Sequence, residues 1–128
     1  MSIIKHNPST IFPQYKNYSH AIETTSGSRH LFISGLNGYE LDGHSMPESF
    51  WEQGVLIWKH LGEILKSAGM TYSNLVSVRT YLSSPQYDRE NIELRKKFLG
   101  DHQPALTVIC CQLLETKWKL EVEAVAAE

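Results

Sequence analysis

Near the C-terminal end of the chain, Trp118, Leu120, Val122 and Ala124 alternate with Lys117, Lys119, Glu121 and Glu123. Side chains on a strand point to opposite faces in turn, so this pattern predicts a strand over 118–126 with one apolar and one charged face. A sheet containing such a strand is covered by helices on one side only. The stretch before it reads differently. A strand from Pro104 to about Leu114 places Ala105, Thr107, Ile109, Cys111 and Leu113 on one face. Leu106, Val108, Cys110, Gln112 and Leu114 fall on the other. Both faces are mostly apolar and need cover. Helices supply one cover; the simplest source of the other is a second subunit.

The remaining elements follow from periodicity and punctuation. A short edge strand and then loop is expected in 1–20, which carries Pro8 and Pro13. Residues 20–25 and 29–34 read as a hairpin around the Ser26-Gly27-Ser28 turn. Ser45-Met46-Pro47-Glu48 reads as a capping box ahead of a helix. Phe50, Gly54, Ile57, Leu61, Ile64 and Ala68 form its apolar stripe, and Gly69 stops it. Gly54 within the stripe marks a close approach to whatever the helix covers. A strand over 76–82 places Val76, Val78, Thr80 and Leu82 on one face, with Ser77, Arg79 and Tyr81 on the other. A second helix runs from about Tyr87 to Leu99 and ends at Gly100. The order predicts one α+β domain over 1–128, with a mixed six-stranded sheet and two helices on one face.

At 128 residues the chain is long enough to bury a core. Its net charge of −2 is spread without a basic run, which disfavours nucleic acid as a partner. No membrane-length apolar stretch or secretory layout is present, so the expected location is the cytoplasm. Cys110 and Cys111 are neighbours that a strand points apart, so no bridge between them is expected. They read either as small core residues or as one thiol lining a pocket.

Glycine-rich phosphate loops and Gly-x-Ser-x-Gly turns are absent from the sequence. Its six histidines, at 6, 20, 30, 44, 60 and 102, match no metal-ligand spacing, so no metal is expected. Glu121 and Glu123 share a face. Burial and like charge would suit them to acid–base work, whereas cross-strand pairing with Lys117, Lys119 or Arg79 is the plainer reading. Trp51 and Trp58, seven apart on the first helix, read as packing. Tyr18 sits in a loop before the first clear strand, a place for either a functional hydroxyl or a surface tyrosine.

Several segments together resemble the RidA/YjgF family, also called L-PSP endoribonuclease-like. They are Asn17-Tyr18-Ser19-His20-Ala21, Leu31-Phe32-Ile33-Ser34-Gly35, Ser67-Ala68-Gly69-Met70, Gly100-Asp101-His102-Gln103-Pro104-Ala105 and the run 120–126. The resemblance implies a chorismate mutase-like fold assembled as a barrel-cored trimer, with a small-molecule cleft at each interface. It implies a cofactor-free hydrolysis of enamines and imines to keto acids and ammonia. Carried over by position, it assigns Tyr18, Ser34, Gly35 and Glu121 to the cleft, with Glu121 placing water or moving protons. The carboxylate-gripping arginine falls on Leu106, and the glutamine after the Ser-Gly pair falls on Leu36. Asn91 and Ile92 compete for the family's helix asparagine. Leu106, Val108 and Cys110 then share an apolar cleft wall, and Arg79 on the next strand is the alternative cation. The expectation is a ligand-binding member with little standard deaminase activity. An active deaminase using Arg79 and Glu121 is the alternative, and an RNA-cleaving translation inhibitor a third reading.

Overall fold

The computed structural model describes residues 3–7, 17, 19, 21–24 and 29–128. Six strands and two α-helices follow in order among the described residues: β1 (Ile3–His6), β2 (Ala21–Thr24), β3 (His30–Leu36), α1 (Phe50–Ser67), β4 (Leu75–Leu82), α2 (Asp88–Leu99), β5 (Ala105–Cys110) and β6 (Leu120–Ala127). The architecture is α+β with a mixed sheet, as expected. The strands, however, fall into two ladders. β3, β6, β4 and β5 form one four-stranded sheet in that order, while β1 and β2 pair antiparallel with each other. The six-stranded sheet is thus corrected to four plus two among the described residues. Within the larger sheet β6 runs antiparallel to both neighbours, and β4 and β5 run parallel, joined through α2.

The helices bury one face of this sheet. Ile57, Trp58, Leu61 and Leu65 of α1 and Leu94 of α2 pack with Val78, Leu82, Leu120 and Val122 below them. A fully buried side chain of this kind contributes about 1.5–3 kcal/mol. Trp58 stacks on Phe98 with centroids 5.9 Å apart, which makes it a packing residue. Trp51, seven residues earlier, is exposed. Gly54 does mark a close approach: a Cβ there would lie 2.2 Å from Leu94 Cδ2, so the missing side chain lets α1 and α2 touch.

Four boundaries move. The cap of α1 is Ser49, whose side chain accepts from Glu52 N, and not Ser45. Ser49-Phe50-Trp51-Glu52 carries the same Ser-x-x-Glu spacing. Ser45 is instead bound to Asp42, which accepts from its backbone and its hydroxyl. On β4 a register shift between Leu75 and Ser77 puts Leu75, in place of Val76, on the core side. β5 stops at Cys110 because its parallel partner β4 ends at Leu82, its register partner. β6 begins at Leu120, since Lys117 and Lys119 lie in a loop held by Gln53. That buried amide donates to Pro47 O (2.8 Å) and Lys117 O (3.0 Å) and accepts from Lys119 N (2.9 Å). The predicted four-residue charged face therefore shrinks to Glu121 and Glu123.

Candidate functional site

The face of the sheet away from the helices carries the charged groups of the structure's central strands. Arg79 and Tyr81 of β4 lie beside Glu123 and Glu121 of β6, as the registers Arg79↔Glu123 and Tyr81↔Glu121 require. β3 bends beside them. Its pairing steps from Ile33↔Ala124 to Leu36↔Val122, three residues against two, so Ser34-Gly35 forms a bulge. The bulge brings the Gly35 backbone against Glu121: a Cβ at Gly35 would lie 2.1 Å from Glu121 Oε1. Only glycine leaves room for the carboxyl in this position.

Beside this contact lies a cavity of about 310 Å³. Gly35, Tyr81, Cys111, Glu121, Glu123 and residues 112–114 line it. The Tyr81 hydroxyl donates to Glu123 Oε1, and Arg79 Nη1 lies 4.0 Å from the same oxygen. Glu123 is therefore bracketed by two partners. Glu121 has none among the described residues. Burial pushes the Glu121 carboxyl above its ordinary pKa, and the Glu123 charge pushes the same way. Tyr81 is raised chiefly because its proton is held on Glu123. The site thus offers one fixed carboxylate and one easily protonated one, a pairing suited to proton transfer or to holding a cation.

A family model described as Endoribonuclease L-PSP matches residues 10–128. The chain belongs to that family. A RutC family protein from Aquifex aeolicus is 30% identical over 113 residues, covering 87% of this chain and 88% of that protein. A mouse 2-iminobutanoate/2-iminopropanoate deaminase is 29% identical over 112 residues, covering 87% and 81%. The crystal structure of YyfB from Yersinia pestis, a Rid-family protein of unknown function, superposes with a TM-score of 0.89. It is 27% identical, with both chains fully covered.

Against the positions that the L-PSP resemblance assigns, the structure divides the set. Gly35 and Glu121 come together, with Arg79 on the same sheet face. Ser34 is exposed in the bulge. Leu36, Leu106 and Val108 instead pack on the helix-side core. Leu106 and Val108 pair with Val78 and Thr80, both buried on that side, so they do not face the Glu121 cavity of their own chain. Cys110 is exposed at the end of β5, and it is Cys111 that lines the cavity. The chain leaves the ladder after Cys110, with Cys111 N donating to Leu82 O at 3.0 Å, and strand alternation no longer applies. Tyr18 lies outside the described residues, although Ser19 donates to Gln103 O and Pro104 O beside β5. Of the two candidates on α2, Asn91 is buried, its Nδ2 unpartnered among the described residues, while Ile92 is half-buried.

Sequence reasoning missed Tyr81, Cys111 and residues 112–114 as cavity groups. For Tyr81 the signal was present, since it shares strand parity with Arg79. The 112–114 segment had no signal, because it was read as strand. His60 and His102 bond to the carbonyls of Tyr39 and Leu75, and each serves the fold in that way. None of the described helices is long and apolar enough to cross a membrane.

Proposed function

We propose that this protein is a small-molecule-binding member of its family with little hydrolytic activity on 2-imino acids. Its ligand is less charged or more apolar than those carboxylates. Three copies assemble with their open sheet faces inward, leaving a ligand cleft at each interface. The observation that carries this reading is Leu106: the position where the family resemblance expects an arginine holds an apolar side chain packed on the core. A carboxylate deprived of that charge-assisted pair loses roughly 1.5–3 kcal/mol, or tenfold to more than a hundredfold in affinity. The free thiols Cys110 and Cys111 fit a reducing compartment such as the cytoplasm.

The test is turnover of 2-aminoacrylate generated in situ, in the wild type and in Leu106→Arg. The expected result is a slow wild type and a faster variant. A robust wild-type rate that the variant does not exceed overturns the reading.

A second reading is a working enamine or imine deaminase in which Arg79 replaces the arginine and Glu121 handles water. Its support is that Arg79, Glu121 and Glu123 share one sheet face. It requires Arg79→Ala and Glu121→Ala each to lower turnover. Two glutamates in the cavity disfavour RNA, and binding to RNA at low salt is not expected.

A further inference from the structure

We infer that the Glu121 cavity selects its ligand by positive charge: it takes an alkylammonium, or the protonated imine of an amine that carries no carboxylate. This inference rests on reading that cavity as the family's ligand site in this chain.

Three observations converge. The cavity holds about 310 Å³, room for a small metabolite, and residues 112–114 give it an apolar rim with Leu113 and Leu114. Among the described residues its lining contains two glutamates, a tyrosine, a glutamine and a thiol, and no lysine, arginine or histidine. The nearby cations of the described residues line other hollows. Arg79 is turned onto Glu123 and lines a separate hollow of about 70 Å³ with Ser77, Ala124 and Val125. Lys117 and Lys119 line another hollow with Met46, Pro47 and Glu48.

Glu121 is the third observation. It is half-buried, bonded to none of the described residues, and seated where Gly35 lacks a side chain. With Glu123 satisfied by Tyr81 and Arg79, Glu121 is the carboxylate left to meet a ligand. An ammonium or iminium N–H donates to it in a charge-assisted hydrogen bond. A carboxylate ligand in the same place meets like charge, which no cation among the described lining residues offsets.

The chemistry this allows is balanced with water as the only co-reactant. Water adds to the iminium carbon, forming the C–O bond while the C=N π pair moves to nitrogen. One proton passes from oxygen to nitrogen through Glu121. The C–N bond then breaks with its electron pair leaving on nitrogen, and the remaining hydroxyl proton passes to the departing ammonia, giving a carbonyl compound and ammonium. Charge is conserved at +1 on each side.

Binding tests the inference independently of turnover. Butylammonium and butyrate are titrated at pH 8 into the full-length protein and followed by calorimetry and by amide shifts at Gly35 and Glu121. Butylammonium is expected to bind at least about tenfold tighter, and Glu121→Gln to abolish that preference. In the wild type the preference must also fade as acid protonates the carboxyls, a readout that does not depend on the variant folding. Butyrate binding equally well or better overturns the inference. So does a failure of butylammonium to bind, or a preference that survives Glu121→Gln. Failure to hydrolyse any imine, with the ammonium preference intact, leaves a cation-binding protein that is not a deaminase. Efficient hydrolysis of 2-imino acids with no such preference sinks the inference while leaving a deaminase.

Discussion

A methyl group at position 35 would sit 2.1 Å from Glu121 Oε1, whereas one at position 38 would sit 2.7 Å from the Gln53 Cα. The two clashes differ in kind. The first meets the far end of a flexible side chain, which swings aside. The second meets helix backbone, which does not. Gly35→Ala is therefore expected to change unfolding free energy by less than about 0.5 kcal/mol while displacing Glu121 from the cavity and weakening ligand binding. Gly38→Ala is expected to cost about 1–3 kcal/mol. Urea unfolding of both variants, with a ligand titration of the first, checks the pair.

Glu121 supports a pH prediction at the same scale. Its pKa is raised in the fold by burial and by the Glu123 charge. The folded state therefore holds this proton more tightly than the unfolded chain does. The contribution is fully present below the unfolded carboxyl pKa and is lost as pH rises through the folded one. At neutral pH the ionised carboxyl is a net cost. Glu121→Gln should raise the melting temperature at pH 7, and the gain should disappear near pH 4. A variant no more stable than wild type at pH 7 contradicts this. The sequence placed Glu121 and Glu123 on one strand face correctly. It did not reveal that Tyr81 and Arg79 would both turn to Glu123, because Tyr81 stands opposite Glu121 in the ladder and reaches diagonally past it.

At the scale of elements, α1 reaches the cavity indirectly. Gln53 is 1% exposed, and its amide joins the start of α1 to the loop ahead of β6. Gln53→Ala leaves two carbonyls and one N–H without their partner, and a cost of about 2–4 kcal/mol is expected. The loop that it releases follows residues 112–114, so affinity for a cavity ligand should fall as well. Thermal melts and the ammonium titration together measure both effects. Unchanged stability would mean that the loop is held by other contacts.

Both helices, the apolar stripe of α1 and the closing role of Gly69 and Gly100 were legible in periodicity and punctuation. Strand ends were not. β5 was read as running to Leu114, yet it stops where β4 stops, and partner length is not written locally in the chain. Nor was the choice of pairing. Residues 20–25 and 29–34 read as a hairpin, but β2 pairs with β1 and β3 with β6.

Across the whole molecule, the open sheet face presents Phe32, 77% exposed, and Ile109, 46% exposed. Such apolar exposure around a polar site is what the proposed trimer would bury. Phe32→Glu is expected to shift the sedimentation of the protein from trimer to monomer and to weaken ligand binding with it. A variant that still sediments as a trimer would place the interface elsewhere. A subunit cover was expected from the two apolar faces of the 104–114 stretch, and the proposed trimer rests in part on that expectation. How the face divides between glutamates and apolar groups was not, because it depends on where β6 begins.

β6 also has a consequence of timing. It follows every other element in the chain, yet it lies between β3 and β4 and hydrogen-bonds to both. On a ribosome, β3 and β4 emerge long before the strand that separates them. Until residues 120–127 clear the exit tunnel, two apolar strand edges wait unpaired beside the parallel β4–β5 ladder. Chains stalled before Leu120 leave both edges unpaired and should be the ones that chaperones hold.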